Sequence, residues 1–299
     1  FHQVHYATRA YGGVGFIITE ATAVEPRGRI SANDLGIWDD AHIEGLQSIV
    51  NSVHHADAKI GIQLAHAGRK CGIRDHKSVS ASPIPFSEQY STPKELTTQE
   101  IKEVINAFQT AAVRANKAGF DVIELHAAHG YLINQFISPL TNRRNDEYGG
   151  SLKNRIRFLE EVIHAVRQVW NKTLLVRFSA EEYAKGGHSI EDTKEVIRQI
   201  LPTIDGVNVS SGAVVPVSMD VYPLYQIPFA REIHSLPVAT IGGGLVTTFS
   251  QIEDILSNKD CDLIYLGREL LRNPYFVLHA AKEAEQSDHI TKAYKRGFS

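Results

Sequence analysis

Short apolar runs rich in β-branched residues alternate with amphipathic stretches along the whole chain. The runs at 14–20, 59–66, 121–127, 174–180, 206–211, 238–243 and 262–268 are mostly continuous, without polar–apolar alternation. A strand reads this way when both of its faces are buried, as in a parallel sheet covered by helices. Between the runs, apolar residues recur every three or four positions. Ile101, Val104, Ile105, Phe108, Ala111, Ala112 and Ala115 form one stripe, opened by a Thr97–Glu100 capping pair. Ile156, Leu159, Ile163, Val166 and Trp170 form a second. Weaker stripes cover 43–53, 193–201, 229–236, 249–256 and 276–284.

Counting these elements selects an architecture. Seven strand–helix units follow a helix-like opening over 1–10 that has no strand of its own. A (β/α)8 barrel of about 250 residues has eight units of about 30 residues each. The pattern predicts an α/β fold, a (β/α)8 TIM barrel lacking its first strand, as one domain over 1–299. The runs then correspond to strands two to eight of the barrel. A doubly wound sheet would carry G-x-G-x-x-G behind an early strand, and none of the first three runs is followed by it.

Charge and composition narrow the function. With 31 Lys+Arg against 34 Asp+Glu the net charge is −3, so no basic field exists to hold a nucleic acid or an anionic membrane. Two separate cysteines, Cys71 and Cys261, make no disulfide framework, which fits a reducing cytoplasm. No apolar run has the length of a membrane span. The first residue is Phe1 and not Met, which reads as a processed terminus or a fragment.

Barrel chemistry sits at the C-terminal ends of the strands. There the chain carries Gly242-Gly243-Gly244 after the seventh strand and Gly267-Arg268 at the end of the eighth. Backbone N–H groups exposed by Gly243, Gly244 and Gly267, together with the Arg268 fork, suit a phosphate-bearing cofactor; tight turns alone are the plainer reading. The fourth strand ends in His126-Ala-Ala-His129-Gly-Tyr131. Two imidazoles can polarise a substrate oxygen while a phenol delivers a proton. A metal pair is the other reading, although H-E-x-x-H is absent and no third ligand is apparent. Gln63 and Arg177 interrupt otherwise apolar strands. A heterocycle with ring nitrogens and carbonyls would satisfy both, as would internal pairing with Glu20 or Glu124.

The run 119–132 around those histidines, Ser138-Pro-Leu-Thr-Asn142-Arg143, Asp146-Glu-Tyr-Gly-Gly150-Ser151, Ile62-Gln63-Leu-Ala-His66-Ala-Gly68-Arg69 and Leu266-Gly267-Arg268-Glu-Leu-Leu together resemble the old yellow enzyme family. The likeness is strongest to its bacterial NADPH dehydrogenase (ene-reductase) branch and covers essentially the whole chain. It implies a TIM barrel holding FMN, reduced by NADPH or NADH, that passes hydride to the β-carbon of an enone, enal or nitroalkene. By that resemblance His126 and His129 bind the substrate oxygen and Tyr131 is the candidate proton donor. Gln63 and Arg177 contact the flavin pyrimidine, Ala21 contributes a backbone contact, and Gly267 and Arg268 grip the phosphate. The tail at about 286–299 resembles one whose arginine, here Arg296, reaches a neighbouring subunit's site, implying a homodimer or homotetramer.

The family's first strand, with its cysteine and tyrosine near the flavin, has no counterpart in this sequence, and neither Cys71 nor Cys261 takes that cysteine's role. Two alternatives stand beside the ene-reductase: a flavin-free, metal-dependent barrel hydrolase using His126 and His129, and a fragment inactive as given.

Overall fold

The computed structural model describes residues 1–73, 76–286, 288, 290 and 292–298. It opens with α1 (His2–Tyr11), β1 (Phe16–Ala23), α2 (His42–His54) and β2 (Lys59–Ala65). A small two-stranded ladder, β3 (Val79–Ser80) with β4 (Lys94–Glu95), follows in the long connection to α3 (Thr98–Ala118). The chain continues through β5 (Val122–Ala127), α4 (Leu132–Ile137), α5 (Leu152–Arg167), β6 (Thr173–Ser179), α6 (Ile190–Ile200) and β7 (Gly206–Ser210). It ends with α7 (Ile227–His234), β8 (Ala239–Gly242), α8 (Phe249–Ser257), β9 (Leu263–Ile264), α9 (Arg268–Arg272), α10 (Phe276–Glu283) and α11 (Lys295–Phe298).

Seven strands make one parallel, curled sheet in the order β1-β2-β5-β6-β7-β8-β9, with β1 and β9 at its edges. This is the barrel strand sequence expected from the hydrophobic runs. Parallel strands must be joined over their faces by helices, so β2, β5, β6 and β7 are buried along most of their lengths. The helical stripes close the outside. Ile101, Val104, Phe108, Ala111, Ala112 and Ala115 of α3 are buried, and the capping box forms as spaced: Thr97 Oγ1 accepts from Glu100 N, and Glu100 Oε2 accepts from Thr97 N at 2.9 Å. Trp170 closes the stripe of α5 just beyond its end, buried, with its indole N–H on the Thr173 carbonyl at 2.9 Å.

The last strand is shorter than the apolar run 262–268 suggests: only Leu263 and Ile264 pair, with Ile241 and Gly242. An edge strand has a neighbour on one side alone, and Leu263 is accordingly half-exposed. β1 has a bulge between Ile18 and Ala21, which turns Glu20 outward to meet Tyr6 and His2 of α1. Glu20 is therefore not a partner for Gln63 or Arg177 inside the barrel.

Candidate active site

Register sets the site before any side chain is considered. His126 lies beside Arg177, and Arg177 beside Asn208, on three neighbouring strands. After β5 the chain turns through His129 and Gly130, both left-handed, at φ of 57° and 69°. A Cβ on Gly130 would sit 2.6 Å from the Ala213 carbonyl, so this corner needs glycine. His129 has no such freedom and is held by others: its N–H donates to Ser179 Oγ at 2.9 Å, and its carbonyl accepts from Lys70 Nζ at 2.8 Å.

That turn gathers the three expected polar groups. The His126 ring is 5.1 Å from His129 and 4.8 Å from Tyr131, both edge-on, and His129 is 6.4 Å from Tyr131. Burial, then the nearby Arg177 and Lys70 charges, takes the His129 imidazole down to about 3. His126 is held well below its usual value by burial and by His129, Arg177 and Lys70. Both rings are thus neutral at ordinary pH. Burial, with Asp34 and Tyr90 nearby, pushes the Tyr131 phenol up to about 12, so it keeps its proton. Lys70 itself is brought down to about 8 by burial and by Arg69 beside it.

A cavity of about 230 Å³ opens at this mouth, lined by His129 and Arg177 on one side and by Gly244, Thr247, Gly267 and Arg268 on the other. Ala21, Gln63, His126, Tyr131 and Gly243 are not among the residues that line it. Ala21 is paired with Gln63 at the bulge of β1. Gly243 serves the site differently: a Cβ there would lie 2.6 Å from the Tyr265 ring, which the Arg177 guanidinium meets at 4.6 Å from its centroid. Arg296 stands on α11, exposed, in a tail whose Tyr294 and Phe298 lie against Tyr275 and His279 of the same chain. Residues 287, 289, 291 and 299 of that tail lie outside the described residues.

Of the two internal pairings weighed from the sequence, one forms: Gln63 Nε2 donates to Glu124 Oε1 at 2.6 Å. Arg177 makes no ion pair among the described residues, and its Nε is buried without a partner. Asn208 Oδ1, on the next strand, is likewise buried and unpaired. An orphaned donor on the cavity-lining Arg177 and an orphaned acceptor on the neighbouring strand, at Asn208, fit a heterocycle carrying both functions. The glycines and Arg268 across the cavity fit its phosphate. Among the described residues no group of three His, Cys, Asp or Glu converges as a metal site.

Sequence reasoning missed the residues that hold this arrangement. Gln226 donates to Ser210 Oγ at 3.1 Å and to Ser211 Oγ at 3.0 Å while accepting from Tyr265 at 2.6 Å, and Ser210 Oγ meets His129 Nε2 at 2.6 Å. These lie far apart in the chain, and only Lys70, next to the quoted Gly68-Arg69, carried a local signal.

A sequence model of the NADH:flavin oxidoreductase / NADH oxidase family matches residues 1–287. The chain belongs to this family, that of the old yellow enzymes. This flavin oxidoreductase is 52% identical to an NADPH dehydrogenase of Geobacillus sp. (strain WCH70), over 100% of this chain and 88% of that protein. Among solved structures it is similar to morphinone reductase in complex with tetrahydroNAD, at 28% identity and a TM-score of 0.79, covering 95% of this chain and 81% of the other. It is also similar to histamine dehydrogenase from Rhizobium sp. 4-9, at 26% identity and a TM-score of 0.86, over 95% of this chain; it spans only 43% of that longer protein.

Proposed function

We propose that this flavin oxidoreductase is an ene-reductase that reduces the C=C bond of an electrophilic alkene, an enone, enal or nitroalkene, at the expense of NADPH. The observation that carries this reading is the neutral His126–His129–Tyr131 cluster, with His126 buried and the other two half-buried, beside the Arg177 end of the cavity. When bound, FMN supplies the two-electron chemistry, accepting hydride from NADPH or NADH and delivering it to the alkene β-carbon. His126 and His129 donate hydrogen bonds to the substrate carbonyl or nitro oxygen and so draw charge away from the β-carbon. Neutral imidazoles serve this better than imidazolium, because a protonated pair in one buried pocket would repel. Tyr131, protonated across the working pH range, gives its proton to the α-carbon, so hydride and proton together complete the reduction. Arg177 offers its unpaired Nε to the pyrimidine end of the flavin and opposes negative charge there, with Gln63 and the backbone at Ala21 alongside. Gly243, Gly244, Gly267 and Arg268 form the phosphate side.

Two further assignments complete the proposal. Two free cysteines, Cys71 and Cys261, support a cytoplasmic location. Arg296, on the exposed α11, is assigned to the substrate site of a neighbouring copy in a homodimer or homotetramer. The test is spectroscopic: the purified protein is yellow, bleaches anaerobically with NADPH and regains its colour with cyclohexenone. A protein that binds no flavin, or whose reduced flavin is not reoxidised by any activated alkene, overturns the reading. The same titration with NADH ranks the two coenzymes.

A further inference from the structure

Glu124 stands in the middle of β5 with none of its surface exposed, and no cation pairs with it among the described residues. Instead each carboxylate oxygen accepts from an amide: Gln63 Nε2 at 2.6 Å on Oε1 and Asn208 Nδ2 at 2.7 Å on Oε2. A carboxylate can only accept. Both amides must therefore turn their NH2 groups toward Glu124 and their carbonyl oxygens away from it. The outcome is visible in the orphans. Asn208 Oδ1 is buried without a partner, and Gln63 Oε1 accepts no hydrogen bond among the described residues. Leaving a buried acceptor unpaired is costly, so a carboxylate that enforces one at Asn208, and turns the Gln63 carbonyl oxygen away as well, marks a place where a donor is expected. Register puts Asn208 directly beside Arg177, whose Nε is the orphaned donor.

We propose that Glu124 is a positioning residue, which locks Gln63 and Asn208 with their carbonyl oxygens turned toward a ring N–H of the bound flavin. This rests on the flavin reading above. The pyrimidine edge of a flavin offers one N–H, at N3, between two carbonyl groups. A site with acceptors fixed beside one arginine donor matches that order and disfavours a ring without the N–H. Glu124 touches no ligand in this scheme and acts only through the two amides.

The N3–H of bound oxidised FMN ionises in alkaline solution with its own absorbance change, which reads the acceptors directly. Glu124→Gln, nearly isosteric, can donate as well as accept and so frees both amides to flip. It is expected to lower the N3–H titration midpoint by about one pH unit relative to the wild type, a tenfold change. Gln63→Leu, which alters no charge, is expected to move it in the same direction, and the double variant to add little. A role in packing alone would weaken FMN retention without moving this midpoint. A folded, FMN-loaded Glu124→Gln protein with the wild-type midpoint overturns the proposal. So does an unchanged midpoint in Gln63→Leu, whether or not Glu124→Gln folds. A wild type without a flavin spectrum overturns the flavin reading itself, and the two failures are told apart by that spectrum.

Discussion

The two sides of the cavity are built on opposite principles. At the ends of β5, β6 and β7, side chains have already found one another: His126, His129 and Tyr131 stack edge to face, Ser210 and Gln226 fix the outer imidazole, and Glu124 locks the amides behind them. At the ends of β8 and β9 the wall combines glycines, Gly244 and Gly267, with the charged Arg268, Glu269 and Arg272, after a final strand of only two paired residues. The first side is preorganised by desolvated hydrogen bonds, which are strong and directional in a low-dielectric setting. The second offers glycine backbone and two arginines, of which Arg272 is already paired with Glu269 at 2.6 Å, and this suits a flexible, strongly charged group more than a rigid one. Chemistry needs the first kind of order and anchoring tolerates the second.

Substitutions on the two sides therefore fail in different ways. His129→Ala is expected to lower turnover of cyclohexenone by about 10²–10³-fold, as for loss of one preorganised donor, with FMN still bound. Stopped-flow reoxidation of the reduced protein measures it, and equal loss of flavin would erase the distinction between the two sides. Arg268→Ala is expected to weaken FMN by about 10–100-fold through loss of a charge-assisted bond, yet to leave riboflavin binding nearly unchanged. Fluorescence titration with both flavins decides this; a parallel loss for riboflavin would move Arg268 away from the phosphate.

Smaller effects sharpen the picture. Gly244 has φ of 105°, and a Cβ there would lie 3.0 Å from the Gln226 side chain. Gly244→Ala should therefore cost about 1–3 kcal/mol and lower the melting temperature by a few degrees. An unchanged melting curve would mean that the loop relaxes freely. The pH dependence tests the buried imidazoles of the molecule together. His129, at about 3, and His188, at about 4, lie below the unfolded value of 6.5, and burial holds His126 in the same direction. Below pH 6.5 the unfolded chain takes up protons that these folded imidazoles refuse, so stability falls as pH drops from 7 toward 5. Glu182, pushed up to about 7 by burial, works the opposite way between 4.5 and 7, as one carboxyl against three imidazoles. The melting temperature at pH 5 should lie below that at pH 7, and the reverse order would show that the histidines are solvated.

Much of this was legible in the chain because it is local. The seven apolar runs became the seven strands, the α3 stripe and its capping box formed as spaced, and His126, His129 and Tyr131 meet because one turn carries all three. Periodicity and near-neighbour spacing determine such features without reference to the rest of the fold. Where the run at 262–268 overreached, pairing was the missing information: an edge strand ends where its single neighbour ends.

What only the tertiary structure decided is who faces whom across the barrel. Nothing near Glu124 in sequence tells that it takes Gln63, 61 positions away, and Asn208, 84 away, while leaving Arg177 without an anion. Nor does spacing reveal that Lys70 grips the strained carbonyl of His129, 59 positions on. Side chains on neighbouring strands meet by register, and register is fixed by pairing along the whole sheet and the burial of both its faces. The sequence by itself thus determined the family, the barrel order and the residue types at its mouth. The barrel decided their partners, because the energy of a buried polar group depends on what lies opposite it and not on what lies next to it in the chain.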